Sequence, residues 1–318
     1  MSNLQRILSV LLLTLSAAVT AFAQPPKETY LFAHRDTCDL YLDIYPPAPG
    51  SATSYKGNPK PTILFVFGGG FITGSRDAKG HNAWFKLLTD NGYRVVSVDY
   101  RLGLKGVKMK FDPFHLVSSA KHTKQAVDIG VEDVFDAIRY LADNAVSLGV
   151  DPDNIVISGS SAGAMISLSS ALETCTPTEH TALLPEGFRF KGVMSFAGGV
   201  MSSSGLPVYM QAPPPQLLIH GIDDKIVNYN KIAFGRWGLF GSKSLVDKVF
   251  APAGYSYSIY RYIGRTHEMA SHMFQTWHLQ KRFLEKCVMA GQAVVIDETI
   301  NDPAMPTWKK FTLEELYK

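Results

Sequence analysis

The sequence is poor in cysteine, and this scarcity excludes two kinds of site. Only Cys38, Cys175 and Cys287 occur among its 318 residues. A small scaffold held by disulfides needs a much denser set of cysteines. The three positions fit neither a metal site nor a catalytic one. We therefore expect buried, unreactive thiols, and the sequence does not select a disulfide pair.

A strong excess of one charge is absent as well. The chain has 31 lysine and arginine residues against 28 aspartate and glutamate residues, which gives a formal net charge of +3. It has no run of basic residues that could follow a phosphate backbone, so we expect no nucleic-acid partner. Internal repeats and low-complexity segments are also missing. The hydrophobic share of 46% is sufficient for one large core, and the sequence does not indicate an oligomeric state.

The one long apolar run stands at the start of the chain. It extends over residues 7–22, follows the single charge of Arg6, and ends in Ala-Phe-Ala, which fits the rule for signal-peptide cleavage. A membrane anchor is the alternative, but serine and threonine interrupt the run and Gln-Pro-Pro follows it. Gln24 stands where a bacterial lipoprotein has cysteine. We expect residues 1–23 to be a signal peptide, and the mature chain to be exported to the periplasm or secreted, without a membrane span.

Strand patterns alternate with helical patterns along the rest of the chain. Short apolar or alternating runs predict strands at residues 40–45, 62–67, 93–100, 155–157, 193–196, 217–219 and 257–262. Helical spacing lies between several of them, most clearly over 131–141. This alternation is typical of an α/β fold whose mostly parallel central sheet has helices on both faces. We assign residues 24–290 to one domain, and residues 291–318 to a C-terminal tail without an assigned role.

The pentapeptide Gly159-Ser160-Ser161-Ala162-Gly163 matches the G-x-S-x-G pattern of a nucleophile elbow. The pattern alone is weak evidence, because a glycine-rich turn with solvent-facing serines would match it too. Its position is more informative, since an apolar strand precedes it and a helix-compatible run follows. A sharp turn at this place would expose the Ser161 hydroxyl. The start of the helix would also direct the amide of Ala162 at a negatively charged oxygen.

Three consecutive glycines, Gly68, Gly69 and Gly70, follow the predicted strand at 62–67. Backbone without side chains can come close to a ligand and direct several amides at one point, as an oxyanion hole requires. A phosphate loop is excluded, because no Gly-Lys-Ser/Thr follows and the dinucleotide spacing G-x-G-x-x-G is not met. A simple tight turn is the remaining alternative.

Acid and histidine candidates follow two later strands. Asp223 and Asp224 come after the penultimate predicted strand, and His267 comes after the last one. A nucleophilic serine needs a base that takes its proton and a carboxylate that orients this base. The order serine, aspartate, histidine is the order of α/β-hydrolases. On the residues alone, Asp223 is an alternative to Asp224, and His272 or His278 is an alternative to His267.

Together these motifs resemble the carboxylesterase and hormone-sensitive-lipase-like branch of the α/β-hydrolase superfamily, over about residues 41–284. The resemblance implies an α/β-hydrolase fold, and the short interval between Ser161 and Asp224 favours a form with no large cap domain. The acid of an H-G-x-x-D motif falls on Asp224, and the histidine of a G-x-x-H motif falls on His267. The resemblance also implies an oxyanion hole made by the amides of Gly69, Gly70 and Ala162.

Two departures from the family pattern are visible. The family commonly has histidine before its three glycines, whereas this chain has Phe67, so the hydrogen bonds by which that histidine steadies the loop are absent. Residues 102–125 are longer and more basic than the Ala-Pro-Glu stretch of many members, and they show no clear period. Aromatic residues in loops are the candidates for lining a substrate pocket: Phe71, Phe111, Phe114, Tyr209 and Tyr229.

The resemblance implies a serine carboxylic-ester hydrolase that requires neither a metal nor an organic cofactor. Ser161 would attack the ester carbonyl, His267 would take its proton, and water would hydrolyse the acyl-enzyme. The expected substrates are short acetyl-like or aryl esters on polysaccharides or small molecules. One alternative is a serine peptidase of the prolyl-oligopeptidase kind, although the chain lacks the length for its propeller. The other is a non-catalytic binding module, although such modules typically lose the triad.

Overall fold

The fold is seen in a computed structural model that describes residues 26–110, 112, 114–307 and 312–317. The predicted signal peptide, residues 1–23, lies outside the described residues, and so does Phe111. Among the described residues, no helix has both the length and the hydropathy that a membrane span requires.

A nine-stranded sheet forms the centre of the described chain. The strands of the structure are β1 (Glu28–Arg35), β2 (Cys38–Tyr45), β3 (Ser54–Tyr55), β4 (Asn58–Pro59), β5 (Thr62–Val66), β6 (Val95–Val98), β7 (Ile155–Ser160), β8 (Gly192–Phe196), β9 (Gly199–Ser202), β10 (Gln216–Gly221), β11 (Lys231–Phe234), β12 (Trp237–Gly241), β13 (Tyr257–Tyr262) and β14 (Val295–Ile300). The central sheet has the order β1-β2-β6-β5-β7-β8-β10-β13-β14. Its pairs are antiparallel from β1 to β6 and parallel from β6 to β14. The predicted α/β class with a mostly parallel sheet is confirmed.

The inner strands are continuous apolar runs because the sheet is covered on both faces. Every residue of β5, β7, β8 and β10 is buried. Such strands lack the alternation of a half-exposed strand, which explains their uniform sequence pattern. Since β5, β7, β10 and β13 are parallel, their carboxyl ends meet at one edge of the sheet, and every candidate site residue follows one of these four strands.

Helices join most of the parallel strands. The α-helices are α1 (Asn82–Asp90), α2 (Leu116–Asp143), α3 (Ala145–Leu148), α4 (Ala162–Cys175), α5 (Ser242–Leu245), α6 (Ala251–Ala253), α7 (Trp277–Phe283) and α8 (Leu313–Leu316). Helix α2 begins well before the apolar spacing at 131–141. Within its first turns, residues 116–125, Ser119 is the only buried residue, so that part of the helix leaves no hydrophobic pattern in the sequence.

Two further elements lack a sequence signal. Strand β14 lies at the edge of the sheet with Ile296 as its only buried residue, so its alternation is too weak to read. It nevertheless adds part of residues 291–318 to the central sheet, where it pairs with β13. Strands β11, β12 and β9 form a small antiparallel sheet.

Of the three thiols, Cys175 and Cys287 are buried as expected. The expectation is wrong for Cys38, which is exposed where β2 begins beside the turn from β1.

Asp133, on α2, is a fully buried carboxylate that joins three segments of the chain. Its oxygens accept hydrogen bonds from the guanidinium of Arg35 in β1. They also accept hydrogen bonds from the amide and the guanidinium of Arg101, which follows β6. Two cations and one amide thus compensate for the burial of a single negative charge, which makes the whole group sensitive to its loss.

We expect Asp133→Asn to lower the free energy of unfolding by about 3 kcal/mol, because Arg35 and Arg101 lose the charge that they surround. Urea denaturation measures this difference. Asp143→Asn is the matched control at an exposed position of the same helix, and its stability should lie within about 0.5 kcal/mol of the parent. Equal stability of the two variants would contradict a structural role for Asp133.

Candidate active site

Ser161 stands at a sharp turn between β7 and α4, with φ +52° and ψ −119°. Residues with a side chain rarely adopt a positive φ, so the surroundings must enforce this one. A Cβ atom on Gly159 would lie 2.2 Å from the carbonyl oxygen of Gly163, and a Cβ atom on Gly163 would lie 2.0 Å from that of Val66. Only glycine fits at either place. The G-x-S-x-G spacing therefore follows from the close crossing of the helix over the strand ends.

Two short contacts join Ser161 to His267 and Asp224. The Oγ atom of Ser161 lies 2.7 Å from Nε2 of His267, and Nδ1 of His267 lies 2.7 Å from Oδ2 of Asp224. The exposed fractions of the three residues are 9%, 8% and 2%. The structure thus brings the three predicted residues together in the order that a serine, histidine and aspartate triad requires.

The alternatives from the sequence do not take part in this arrangement. Asp223 and His278 are exposed. His272 is fully buried, and burial lowers its pKa. Within the described chain, the hydrogen bonds found for Ser161 and Asp224 involve none of these three side chains. Asp223 does line the larger of the two cavities described below.

The carboxylate of Asp224 accepts four hydrogen bonds. Its Oδ1 atom accepts from the amides of Ile226 and Val227 at 2.8 and 3.1 Å. Its Oδ2 atom contacts His267 at 2.7 Å and Nε2 of His220 at 3.1 Å. Burial by itself would raise the pKa of Asp224, but the hydrogen bonds from His220 and His267 outweigh it and lower this pKa to about 2. Asp224 is therefore ionised at neutral pH.

His220 is a site residue that the sequence analysis did not single out. It is fully buried in β10, and its Nε2 atom faces two acceptors, Oδ2 of Asp224 and the carbonyl of Val227 at 3.0 Å. Nε2 must carry a proton to serve them, so we assign Nδ1 as the acceptor of the Ser242 hydroxyl at 2.8 Å. His220 thus fixes the carboxylate of Asp224 through a hydrogen bond to Oδ2, the oxygen that also contacts His267. The first position of the H-G-x-x-D motif was the available signal.

The glycine loop after β5 lies against the elbow. A Cβ atom on Gly68 would lie 2.9 Å from both the carbonyl and the hydroxyl oxygen of Ser160. Among the hydrogen bonds of the described residues, none has the amide of Gly69, Gly70 or Ala162 as its donor. Ala162 is the first residue of α4, where amides lack a partner within the helix. The role of these three amides as donors to an oxyanion stays a prediction.

Phe67 and Tyr100 steady this loop, at the position where the resemblance described above implies a histidine. The two rings stack with their centroids 4.5 Å apart and their planes 29° apart. The Tyr100 hydroxyl also donates a hydrogen bond to the Phe67 carbonyl at 3.0 Å. Tyr100 is buried, and burial raises its pKa. A neutral, buried hydroxyl thus fixes the backbone where the glycines begin.

Two cavities meet at Ser161. The larger one has a volume of about 810 Å³, contains His267, and has polar side chains on its wall, namely Asp223, Lys225, Thr266, Glu268, Ser271 and Thr312. His81 lines it too, and burial lowers the pKa of His81 to about 4, so its imidazole is neutral near pH 7. The smaller cavity, of about 310 Å³, is mainly apolar. Within the described residues, no group of three or more histidine, cysteine or carboxylate side chains could hold a metal ion.

The aromatic candidates from the sequence are mostly elsewhere. Phe71 lines the smaller cavity, but Phe114 is exposed to solvent. Tyr209 packs on Phe250, and Tyr229 packs on His220. The other aromatic side chains of the described residues that line the smaller cavity come from the β11–β12 hairpin and from residues 312–317: Phe234, Trp237 and Tyr317. Sequence reasoning missed them because tertiary folding, not strand position, brings them to the site.

The low pKa of Asp224 means that its contribution to the free energy of unfolding decreases at acidic pH. Its pKa is about 2 in the folded protein against 3.8 ordinarily, so its contribution is present above about pH 4 and is lost as the pH falls through the folded value. We expect the stability difference between the parent and Asp224→Asn to shrink by about 2 kcal/mol between about pH 5 and pH 2. Urea denaturation at stepped pH measures it, and a constant difference would speak against this low pKa.

Comparison with known proteins gives matches to esterases and lipases. The model of the carboxylesterase family matches residues 19–187, just over half of the chain. Lipase 2 of Geotrichum candidum is 32% identical over 129 residues, which are 40% of this chain and 21% of the lipase. Carboxylesterase 3B of Mus musculus is 32% identical over 136 residues, 43% of this chain and 21% of that protein. Secreted lipase 1 of Botryotinia fuckeliana is 27% identical over 52% of this chain and 26% of its own length.

These curated relatives are much longer than the matched part, which spans about a quarter of their length or less. Among solved structures, the thermophilic esterase Est2 from the Planctomycetes species Thermogutta terrifontis superposes with a TM-score of 0.58. Its identity is 23%, and the match covers 82% of this chain and 94% of that one, which shows a shared fold. The family match covers the glycine loop and the Ser161 elbow, so the family resemblance predicted from the sequence is confirmed. The chain belongs to the carboxylesterase family.

Proposed function

We propose that the protein is a serine carboxylic-ester hydrolase that works through an acyl-enzyme. The observation that carries this proposal is the continuous contact from Oγ of Ser161 through the His267 ring to the ionised carboxylate of Asp224. On this proposal the substrates are short acyl or aryl esters of polysaccharide or small-molecule alcohols. Membership of the carboxylesterase family supports ester hydrolysis as the reaction.

The reaction begins with proton transfer from serine to histidine. Nε2 of His267 lies 2.7 Å from the Ser161 hydroxyl, within reach of its proton. The carboxylate of Asp224 accepts a hydrogen bond from the N–H group at Nδ1 of His267, and its negative charge stabilises the imidazolium that forms. Because His220, Ile226 and Val227 also donate to this carboxylate, it cannot turn away from His267.

The oxyanion of the tetrahedral intermediate would lie between the glycine loop and the start of α4. The amides of Gly69, Gly70 and Ala162 can donate to it without first giving up partners, so little reorganisation is needed. The imidazolium of His267 then gives its proton to the alcohol oxygen as the bond to the acyl carbon breaks. Water then attacks the acyl carbon while His267 takes its proton; as the bond from the acyl carbon to Oγ of Ser161 breaks, His267 returns this proton to Oγ and the acid leaves.

We also propose that residues 1–23 direct the chain out of the cytoplasm. The apolar run with its small-x-small end supports this proposal. The catalytic domain would then begin near residue 24 and extend past residue 290, because β14 belongs to the central sheet. A change in mass at the N-terminus after expression in a secreting host tests the cleavage.

We expect the purified chain to hydrolyse p-nitrophenyl acetate and butyrate, and Ser161→Ala to lose at least about a thousandfold in kcat. Ser160→Ala is the matched control, because it removes a neighbouring hydroxyl from the same turn; it should stay within about tenfold of the parent. Equal activity of Ser161→Ala and the parent would rule out Ser161 as the nucleophile. Inactivity of the parent toward all esters would point to peptides or to a binding role.

Tyr100→Phe should lower kcat on short esters by about tenfold, because the loop that carries Gly69 and Gly70 loses the hydrogen bond to its first carbonyl. This loss is smaller than that for removal of a whole oxyanion donor. Steady-state kinetics measure it, with KM expected to change little. Tyr93→Phe is the control, since Tyr93 is also buried but precedes β6, at the opposite end of that strand. Equal kcat values for the two variants would refute this role of Tyr100.

A further inference from the structure

Residues near the C-terminus lie at the candidate active site. Leu313 lines both cavities, and Tyr317 lines the smaller one. Tyr317 packs against the hydrophobic core, and burial raises the pKa of its hydroxyl to about 12. The function proposed above assigns no task to either residue.

Arg265 holds the chain that leads to this end. Its Nη2 atom donates to the carbonyls of Asp302 and Met305 at 2.5 and 2.8 Å, and its Nη1 atom contacts the Pro306 carbonyl at 3.4 Å. The exposed fraction of Arg265 is 5%, and the residue stands two positions before His267. One buried cation on three backbone carbonyls therefore ties the C-terminal segment to the loop that carries the histidine.

The final turn is also internally fixed. In α8, the Thr312 hydroxyl accepts from the amide of Glu315 at 3.2 Å, and the Glu315 carboxylate accepts from the amide of Thr312 at 2.7 Å. This capping box orients the helix. Leu313 and Tyr317 are four residues apart and share one face, which is the face toward the cavities, whereas Glu314 is exposed.

The chemistry proposed above distinguishes the two cavities. His267 must protonate the departing alcohol, so the alcohol has to lie in the larger cavity, which contains His267 and has several polar side chains on its wall. The acyl group must then extend into the smaller cavity, which Ser161 and the oxyanion donors Gly70 and Ala162 also line. This assignment rests on the proposed function.

We propose that Leu313 and Tyr317 form the outer wall of an acyl-binding pocket and thereby determine which acyl groups the protein accepts. None of the described residues that line the smaller cavity carries a charge. Its volume of about 310 Å³ is at the lower end of the ~300–1,000 Å³ of small-molecule sites and exceeds what an acetyl group fills. The pocket therefore suits an uncharged acyl chain of medium length or an aromatic acyl group.

Tyr317→Ala tests the wall through acyl-chain selectivity at a constant leaving group. An acetyl group is too short to gain from the wall, whereas an octanoyl chain is buried by it. With p-nitrophenyl acetate, butyrate and octanoate, we expect the loss in kcat/KM on octanoate to be about ten times the loss on acetate. Leu313→Ala should shift the ratio in the same direction. Glu314→Ala is the control from the exposed face of the same turn and should leave the ratio at the parent value.

A second measurement does not require turnover. Since Trp237 lines the pocket, we expect binding of p-nitrophenyl octanoate to quench tryptophan fluorescence in the Ser161→Ala background. Tyr317→Ala should weaken this binding about tenfold. Equal losses on all three esters, or an unchanged binding constant, would overturn the acyl-pocket assignment while leaving ester hydrolysis intact. If the parent hydrolyses no ester but Tyr317→Ala still weakens binding, the pocket stands and the proposed reaction fails.

Discussion

The close crossing of α4 over the ends of β5 and β7 is the constraint on which the site depends. It leaves no room for a Cβ atom at Gly159 or Gly163, and it holds Ser161 at a positive φ. The fully buried strands β5 and β7 hold the backbone of Ser161 in this strained conformation. As a result the serine hydroxyl, the free amide of Ala162 and the glycine loop lie next to each other before any substrate binds.

Two buried carboxylates, Asp224 and Asp133, are each compensated by several hydrogen-bond donors. A buried carboxylate is stable only when its charge is compensated, and Asp224 receives four donors from β10, from the turn after it and from His267. These donors are also the reason why Asp224 faces the histidine in a single orientation. Asp133 follows the same rule in α2, where Arg35 and Arg101 surround it. Asp133 joins three segments of the fold, whereas Asp224 lies at the candidate active site, but each binds several segments of the chain to one negative charge.

The surroundings of Ser161 come from distant parts of the sequence. The larger cavity is lined by the loops that carry Asp223 and His267, whereas the β11–β12 hairpin lines only the smaller, mainly apolar cavity, and Leu313 of α8 lines both. In the proposed reaction this division separates the alcohol from the acyl group. Apart from Phe71, the aromatic side chains of the described residues at the smaller cavity come from short segments, namely the β11–β12 hairpin and residues 312–317.

The sequence by itself determined the α/β class, most strands, and the positions of Ser161 and the glycine loop, because each is encoded by a local pattern at a strand end. For the base it left His272 and His278 as alternatives to His267. It left Asp223 against Asp224 open, since one residue in a turn decides which carboxylate is buried. Only the tertiary structure decided the partners: His220 behind Asp224, Tyr100 under Phe67, and Tyr317 beside the cavity. Such contacts join residues far apart in the chain, so no local pattern predicts them. The edge strand β14 and the start of α2 were missed for another reason: few of their residues are buried, and their hydrophobic periodicity is therefore too weak.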